Sequence, residues 1–315
     1  MVRKFFCVCA GMLMLALSYH FGAGTAMAVT LHQSGYSAHP LVSLPTSTYS
    51  PSDVEVDGQG NLYVPTLTLG VQRISPGGAV SLWSTVPAVD LTLTSAGDGY
   101  GAGPSCRCIL RVESNGSYST LHQDAFEWRY IELGPDGTLY SLLWAGAGQG
   151  VYRIDRTSGV PTPIVTGGPG PGGAGWYGGM AHGIDGKLYV NGYDGSGYGL
   201  YRLDGSTFTR AATLPYTFFG LTRDETGLFY AATSYFDAGE VWTIDAVSGT
   251  AALLASGLAL PAGIGYDPLS HSINVAEQYG SRQVWVITKE SPTRALAATW
   301  GQLKARYAPN RGTAK

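Results

Sequence analysis

A few side chains in the sequence are of types that transfer protons or bind metals. His182 follows Met180 and Ala181 in a short apolar run with the character of a β-strand. A histidine there has two interpretations: it is hydrogen-bonded inside the core, or it faces an open site as an acid, a base or a ligand. The sequence leaves both open, because only geometry separates them.

Cys106 and Cys108 are the only cysteines after residue 28. Side chains two residues apart on a strand share one face, but a disulfide needs Cβ atoms about 3.5–4.5 Å apart. A bond therefore requires a local bend, and a strained, reducible disulfide and two free thiols are both open. Two thiols alone do not complete a zinc site, and nothing in the sequence supports His122 as a third ligand.

The elements that must position these groups follow a repeated pattern, which is clearest in residues 130–166. Four short apolar or alternating segments occur there, and each ends at Gly, Pro or Asp, as strands do in an antiparallel meander. The pattern of the third strand occurs six times, beginning at Val71, Ile109, Val151, Leu200, Val241 and Val284. The spacing of roughly 40–50 residues is typical of propeller blades.

The sequence therefore predicts an all-β fold, a six-bladed β-propeller over residues 29–290. The second blade is predicted to be degenerate, with Asp98 and Gly99 as the only trace of its first hairpin. The sixth third strand is followed by no outer strand, and the missing strand is predicted at residues 41–44. An N-terminal strand that completes the last blade removes two open sheet edges, which are an aggregation hazard.

The two ends of the chain are predicted to lie outside the propeller. Residues 1–28 combine Arg3 and Lys4, an apolar run and small residues up to Ala28, which is the pattern of a cleaved signal peptide. We therefore expect a secreted or periplasmic protein, with no membrane span because no later apolar stretch reaches about 18 residues. The spacing of apolar residues in 291–315 predicts a short helix and a basic tail.

Charge is sparse and unevenly distributed. Residues 29–288 hold 11 basic and 21 acidic side chains, whereas residues 289–315 hold six basic and one acidic. Binding to a phosphate backbone needs basic patches, so nucleic acid is not expected as a partner. The sequence does not define an oligomeric state, and a monomer is favoured.

Aromatic residues are concentrated in the loops on one face of the predicted ring. The opposite face has short Asp, Gly and Ser turns. A concave aromatic mouth with a few charges is typical of sites for sugars, aromatic small molecules or peptides; the alternative is that the aromatic side chains only plug the channel. The residues predicted to bind a ligand are Trp128, Arg129, Trp144, Trp176, Tyr177, Tyr193, Tyr235, Asp237 and Tyr279.

Two predicted hairpins carry closely similar motifs, VDGQGNLYV at residues 56–64 and IDGKLYV at residues 184–190. They resemble the repeats of NHL-type propellers, streptogramin lyases and the SMP-30/gluconolactonase group. The resemblance extends over about residues 41–290. It implies a propeller and does not by itself transfer a reaction.

The SMP-30 resemblance implies a divalent cation held by Glu, Asn and Asp side chains just before the first strand of several blades. The positions here that align with those ligands are Ser52, Arg129, Gly178, Phe219 and Ala262. None has a carboxylate or an Asn, and a hard cation needs charged oxygen ligands. No metal or other cofactor is therefore predicted, unless Asp53, Asp90 or Glu127 enters the site from a neighbouring position.

The streptogramin lyase resemblance implies an acidic residue at Glu277 and a partner histidine near Ala262, and that histidine is absent. We therefore predict an exported propeller that binds a small molecule, glycan or peptide on its aromatic face. One alternative is a lyase or lactonase-like hydrolase that uses Glu277, Glu127 and His182 at the central mouth. Another is a surface scaffold whose C-terminal helix binds a partner, so the sequence does not decide whether the protein is an enzyme.

Overall fold

The computed structural model describes residues 29–45, 53–66, 69–143, 148–173, 175–216, 218–233, 239–278 and 282–290, and the side chain of Trp176 is not described. Within these ranges the chain forms six antiparallel sheets, which are the blades of a six-bladed β-propeller. The predicted signal peptide at 1–28 and the predicted helix and tail at 291–315 lie outside the described residues. In the part of the chain that is described, no helix has the length and apolar character needed to cross a membrane.

Two strands precede the first blade, β1 (Thr30–Leu31) and β2 (Tyr36–Ser43). The strands of blade 1 are β3 (Glu55–Val56), β4 (Leu62–Thr66), β5 (Gly70–Ile74) and β6 (Val80–Ser84). Those of blade 2 are β7 (Asp90–Leu93), β8 (Gly99–Gly103), β9 (Cys108–Val112) and β10 (Tyr118–Gln123). Those of blade 3 are β11 (Trp128–Leu133), β12 (Leu139–Leu143), β13 (Gly150–Ile154) and β14 (Pro161–Thr166).

A short 3-10 turn, Pro171–Gly173, precedes the second half of the ring. The strands of blade 4 are β15 (Trp176–His182), β16 (Leu188–Tyr193), β17 (Tyr198–Asp204) and β18 (Thr207–Leu214). Those of blade 5 are β19 (Gly220–Arg223), β20 (Phe229–Ala232), β21 (Val241–Asp245) and β22 (Thr250–Ser256). Those of blade 6 are β23 (Pro261–Asp267), β24 (Ser272–Glu277) and β25 (Gln283–Lys289).

Acidic turn residues hold the first hairpin of several blades. Asp57 accepts hydrogen bonds from the backbone N–H groups of Gln59 and Asn61, at 2.8 and 2.9 Å, and from the Tyr63 hydroxyl at 3.1 Å. This Asx-turn geometry satisfies backbone donors that the tight turn would otherwise leave unpaired. The Asp-Gly turns recognised in the sequence therefore form because the carboxylate replaces missing ladder bonds.

The ring closes with the predicted N-terminal strand. Strand β2 pairs antiparallel with β25 as the outermost strand of blade 6, and it extends beyond the predicted 41–44. The structure adds an unpredicted contact, because β1 pairs with β22 and makes blade 5 a five-stranded sheet. The link between the two strands is also fixed, since Gln33 Nε2 donates to Thr243 Oγ1 at 2.8 Å. One short segment therefore covers the outer edges of two neighbouring blades.

Blade 2 is complete, so the prediction of a degenerate second blade is wrong. Its second strand has glycine at residues 99, 101 and 103, which conceals the aromatic and aliphatic pattern of the other blades. These glycines are required by packing: a Cβ added at Gly99 would lie 2.1 Å from the Thr92 carbonyl oxygen, and one at Gly101 would lie 2.9 Å from the Ala88 Cβ. Close strand contact has replaced the recognisable side chains.

Cys106 and Cys108 form a disulfide, with their Cα atoms 5.2 Å apart. The bend that the sequence required is present at Arg107, whose φ of 52° lies in the left-handed region. Gly103 leaves space for the bridge, because a Cβ there would lie 2.5 Å from the Cys106 sulfur. The choice that the sequence left open is thus resolved in favour of the disulfide.

Apolar side chains pack mainly between blades rather than in one central core. The contact between blades 4 and 5 is typical, with the rings of Tyr189 and Phe229 4.8 Å apart and both residues buried. Buried clusters of this kind occur at each junction between neighbouring blades. Because the core lies between the blades, the axis of the ring is left free for polar groups.

Candidate functional site

A cavity of about 490 Å³ runs along the axis of the ring. It is bordered by the first strand of every blade, β3, β7, β11, β15, β19 and β23. This volume is in the range of small-molecule sites. Pro135, Glu225 and Pro268 also border it, and they belong to the turns after first strands, so the cavity extends to the face with the short turns.

The two halves of the channel wall have different chemistry. In blades 1 to 3, the alternate positions that precede each first turn are occupied by Asp53, Glu55, Asp90, Thr92, Tyr130 and Glu132. In blades 4 to 6 the same positions are occupied by Gly179, Ala181, Gly220, Thr222, Gly263 and Gly265. Because side chains alternate along a strand, these two sets face the axis or the adjoining first strand. One half of the wall is therefore rich in carboxyl groups, and the other has small residues.

The carboxyl groups of blades 1 and 2 connect neighbouring first strands. Asp53 Oδ2 accepts the backbone N–H of Leu91 at 3.2 Å, and Asp90 Oδ2 accepts that of Ile131 at 2.6 Å. Two residues further along the chain, Glu55 Oε1 accepts the backbone N–H of Leu93 at 3.1 Å. Each carboxyl thus has one oxygen bound to the next blade, and the side chain is held at the wall of the channel.

The carboxyl group of blade 3 binds His182. Glu132 Oε1 lies 3.2 Å from His182 Nδ1 and accepts the His182 backbone N–H at 3.3 Å. The imidazole is buried, and its ring packs 5.2 Å from that of Tyr140. Arg223 Nε donates to the His182 carbonyl oxygen at 2.5 Å. Of the two interpretations of His182, core histidine or open-site residue, the structure supports the hydrogen-bonded core histidine. The residue also borders the channel.

Burial raises the pKa of the channel carboxyls. It raises the pKa of Asp53 to about 6, and the charge of Glu132 acts in the same direction. The pKa of Glu55 is well above its usual range because of burial and of the charges of Asp53 and Glu132. Burial and the Asp53 charge likewise raise the pKa of Asp90, and the carboxyls of Asp53 and Asp90 hydrogen-bond each other. These groups lie deep in the protein yet remain partly exposed to the channel, so their neutral form is favoured.

The residues present do not fit a divalent cation. Asp53 and Asp90 do enter the channel from neighbouring positions, as the sequence allowed, but Glu127 instead lies 3.9 Å from Arg129. Within the described ranges, no group of three or more His, Cys, Asp or Glu side chains could hold a metal ion. Since each channel carboxyl also has an oxygen bound to a backbone N–H, no reaction step is derived through a metal.

The structure does not bring the three predicted catalytic candidates together. Glu277 is buried in blade 6, where it accepts the backbone N–H of Ala259 at 2.8 Å and Trp285 Nε1–H at 3.0 Å. Glu127 lies in the loop before blade 3, and His182 is bound to a carboxyl of the channel wall. Glu277 does not border the channel, and its contacts tie together the strands and loops of the last blade.

The predicted aromatic site is only partly within the described residues. Trp128 and Tyr177 are buried, at 1% and 0% exposure, so the expectation that Trp128 is accessible to a ligand is wrong. Both pack into the junctions between blades, where apolar contact outweighs exposure at the mouth. Tyr193 is half-buried against Tyr198, with ring centres 5.2 Å apart, and Arg129 is partly exposed. The side chains outside the described residues are those of Trp144, Trp176, Tyr235, Asp237 and Tyr279.

The carboxyl half of the channel wall is not among the sites predicted from the sequence. The predictions include Asp53 and Asp90 only as metal ligands that enter from a neighbouring position, and they do not include Glu55 and Glu132. The signal was present, because acidic residues alternate with apolar ones in a strand that should be the innermost of its blade. A polar residue at an inner position of a propeller is unusual unless it faces the axis.

Solved structures with the same fold include several enzymes. A gluconolactonase from Xanthomonas campestris has a TM-score of 0.64 at 16% identity, over 80% of this chain and 89% of its own. Virginiamycin B lyase from Staphylococcus aureus has a TM-score of 0.59 at 14% identity, over 80% and 99%. A PQQ-bound aldose sugar dehydrogenase from Streptomyces coelicolor has a TM-score of 0.60 at 14% identity, over 81% and 98%.

No family model and no curated protein matches the sequence. At identities of 14–16%, the similarity to these structures shows a shared fold. The resemblance inferred from the repeats is thereby confirmed at the level of architecture: the chain is a six-bladed propeller similar to lactonases and streptogramin lyases.

Proposed function

We propose that the protein binds a small, hydroxyl-rich molecule of the size of a sugar or sugar lactone in its central channel. The observation that carries the proposal is the cavity of about 490 Å³, in which carboxyl groups occupy alternate positions of the inner strands on one side and small residues occupy the same positions on the other. Carboxyl groups accept and, when protonated, donate hydrogen bonds, as hydroxyl groups require. The small residues opposite leave room for the ligand itself.

Two similar structures support the choice of ligand class, since one is a gluconolactonase and the other is an aldose sugar dehydrogenase. We also propose, from the pattern of a signal peptide in residues 1–28, that such binding occurs outside the cytoplasm. The aromatic face predicted from the sequence stays an alternative location. A ligand at that location would contact the aromatic loop residues and not the channel wall.

The test is a binding screen of neutral sugars and sugar lactones by isothermal titration calorimetry, with a variant that fills the channel. Thr222 borders the cavity on the small-residue side, so Thr222→Phe should reduce the affinity at least about tenfold by occupying the space of the ligand. Val247→Phe is the matched control, because Val247 is 97% exposed and does not border the channel. It should bind like the wild type.

Unchanged binding by Thr222→Phe would place the site elsewhere, and the aromatic loops would be the next region to vary. No binding of any sugar, sugar lactone or polyol by the wild-type protein would exclude the proposed ligand class. Circular dichroism and the unfolding temperature of both variants show whether a loss comes from the channel or from the fold.

A second candidate function, acid–base catalysis of a lyase or lactone-hydrolase reaction, is favoured by the hydrogen-bonded carboxyl pair Asp53 and Asp90. In such a pair one carboxyl can stay protonated while the other is ionised, so one is an acid and its neighbour a base. Turnover of a lactone by the wild type, and its loss in both Asp53→Asn and Asp90→Asn, would support catalysis. Binding without turnover would leave a binding protein.

A further inference from the structure

Acidic groups outnumber basic ones among the described residues that border the channel. Among the described residues that border the channel, the basic ones are Arg223 and His182. Arg223 donates to two carbonyl oxygens, those of His182 and Asp224, and His182 is bound to Glu132. The charges that act on the carboxyls of blades 1 and 2 are those of other carboxyls.

Tyr130 provides an independent sign of a missing partner. The residue is 8% exposed and borders the channel. Its hydroxyl has no hydrogen bond among the described residues. Burial raises its pKa above the usual range against the opposing charge of Arg129, and the charges of Asp90 and Asp53 act in the same direction as burial. Buried tyrosine hydroxyls usually find a partner. This hydroxyl is therefore a neutral donor that is available to a ligand beside the carboxyl groups.

The oxygen atoms of the wall suit an ammonium group. Asp53, Glu55 and Asp90 each have an oxygen held by a backbone N–H of the next blade. The carboxyls of Asp53 and Asp90 also lie against each other, so a cation beside this pair would be shared by both. A primary ammonium has three N–H donors and can share them among several carboxylates. A divalent metal is less suited, because the described carboxyls do not converge into a ligand set.

We propose that the ligand of the channel carries a positively charged amino group, which binds the neighbouring carboxyls of Asp53 and Asp90 while the Tyr130 hydroxyl donates to an adjacent polar atom. The inference rests on the proposed function, since it narrows the ligand of the same channel to an amino-bearing polyol. The small residues opposite would face the hydroxyl-bearing part of that molecule.

The effect of pH follows from the groups that face the site. They are Asp53 just before β3, Glu55 on β3, Asp90 on β7, Tyr130 and Glu132 on β11, His182 on β15, Arg223 on β19 with Asp224 and Glu225 after it, and Tyr266 on β23. Deprotonation of the carboxyls strengthens binding of a cation, so the affinity should rise between about pH 5 and pH 7. Binding in that interval should release protons, because the cation favours the ionised carboxyls.

Glucamine and sorbitol are the probes, because they differ only in an ammonium group that replaces one hydroxyl. Calorimetry at pH 7 should show glucamine binding at least about tenfold more tightly than sorbitol. Asp90→Asn should reduce that preference to about threefold or less. Tyr130→Phe should weaken both probes by a similar factor and keep the preference, because it removes a neutral donor and no charge. Titration in two buffers of different ionisation enthalpy measures the released protons.

Equal affinities of the wild type for glucamine and sorbitol would overturn this inference and leave the proposed function standing. If neither probe binds and the sugar screen is also negative, the proposed function fails and this inference with it. Displacement of glucamine by Ca²⁺ alone at equimolar concentration would identify a metal site instead. Asp53→Asn serves as the second charge-removing variant if Asp90→Asn does not fold.

Discussion

The carboxyl groups of the channel oppose folding at neutral pH. Burial raises the pKa of Asp53 to about 6 in the folded state, whereas an exposed aspartate titrates near 4. The folded protein therefore binds this proton more tightly than the unfolded chain does. The contribution of Asp53 to the free energy of unfolding must then fall as the pH rises from about 4 through 6, and stay lower above that interval.

Asp53→Asn should stabilise the free protein at pH 7.5 by about 1–3 kcal/mol, because an amide does not have to ionise. Asn can still accept the Leu91 N–H, so the link between blades is kept. The gain should shrink as the pH falls towards 4. Urea unfolding at several pH values measures it.

Asp245→Asn is a control of opposite sign. Hydrogen bonds from Ser248 and the Val247 backbone lower the pKa of this exposed aspartate, so the stability it contributes is present above the unfolded pKa and is lost in acid. This variant should be less stable than the wild type at pH 7.5. If Asp53→Asn is also less stable than the wild type at pH 7.5, the Asp53 carboxyl does not destabilise the folded protein.

At the scale of the strand, the two halves of the ring are joined in different ways. In blades 1 to 3, carboxyl side chains bridge the first strands. In the other half, glycines allow the backbones to touch: a Cβ added at Gly265 would lie 2.1 Å from the Val54 carbonyl oxygen, and one at Gly220 would lie 2.5 Å from that of Ala262. The small-residue side of the channel thus results from close packing of the strands.

Gly265→Ala should lower the free energy of unfolding by about 1–3 kcal/mol, because the methyl group overlaps backbone that has no space to move. Gly77→Ala is the matched control, since a Cβ there would meet nothing closer than the Ser75 hydroxyl at 3.9 Å. Chemical denaturation of both variants gives the comparison. Equal stability of the two would show that β23 and β3 are farther apart than described.

The sequence predicted those elements whose side chains have a regular pattern. The blade count and the closing strand followed from apolar repeats and from the Asp-Gly turns, in which the carboxylate replaces backbone bonds. Blade 2 was missed because Gly99 and Gly101 provide close contact in place of side chains. Strand β1 was missed because two residues, Thr30–Leu31, show no periodicity. The carboxyl site was not predicted, because which strand side chains face the axis depends on the three-dimensional arrangement of the innermost strands.

The whole ring depends on the segment that carries β1 and β2. These strands cover the outer edges of blades 5 and 6, and the hydroxyls of Tyr36 and Tyr230 lie 3.2 Å apart between them. Unpaired edges expose rows of backbone donors and acceptors that recruit other chains. The channel retains its shape only while the first and last blades stay in contact.

Deletion of residues 29–45 should cause aggregation or a large fall in the unfolding temperature, because it exposes β22 and β25 together. Deletion of residues 29–32 is the milder comparison, since it removes β1 and leaves β2 paired. Light scattering and thermal melts distinguish the two. If the variant that lacks residues 29–45 is monomeric and has an unchanged melting temperature, the segment is dispensable.

The pairing of β2 with β25 also has a consequence for the order of synthesis. Some 240 residues separate Ser43 from its partner Gln283 in the chain, so the strand that the ribosome makes early waits for one that it makes late. Individual blades can form as they emerge, because their strands are neighbours in sequence. The ring itself closes by the pairing of β2 with β25. This pairing is a slow step because the two strands are far apart in sequence. Until β25 is made, β2 has no partner, and a chaperone or an export factor can bind it.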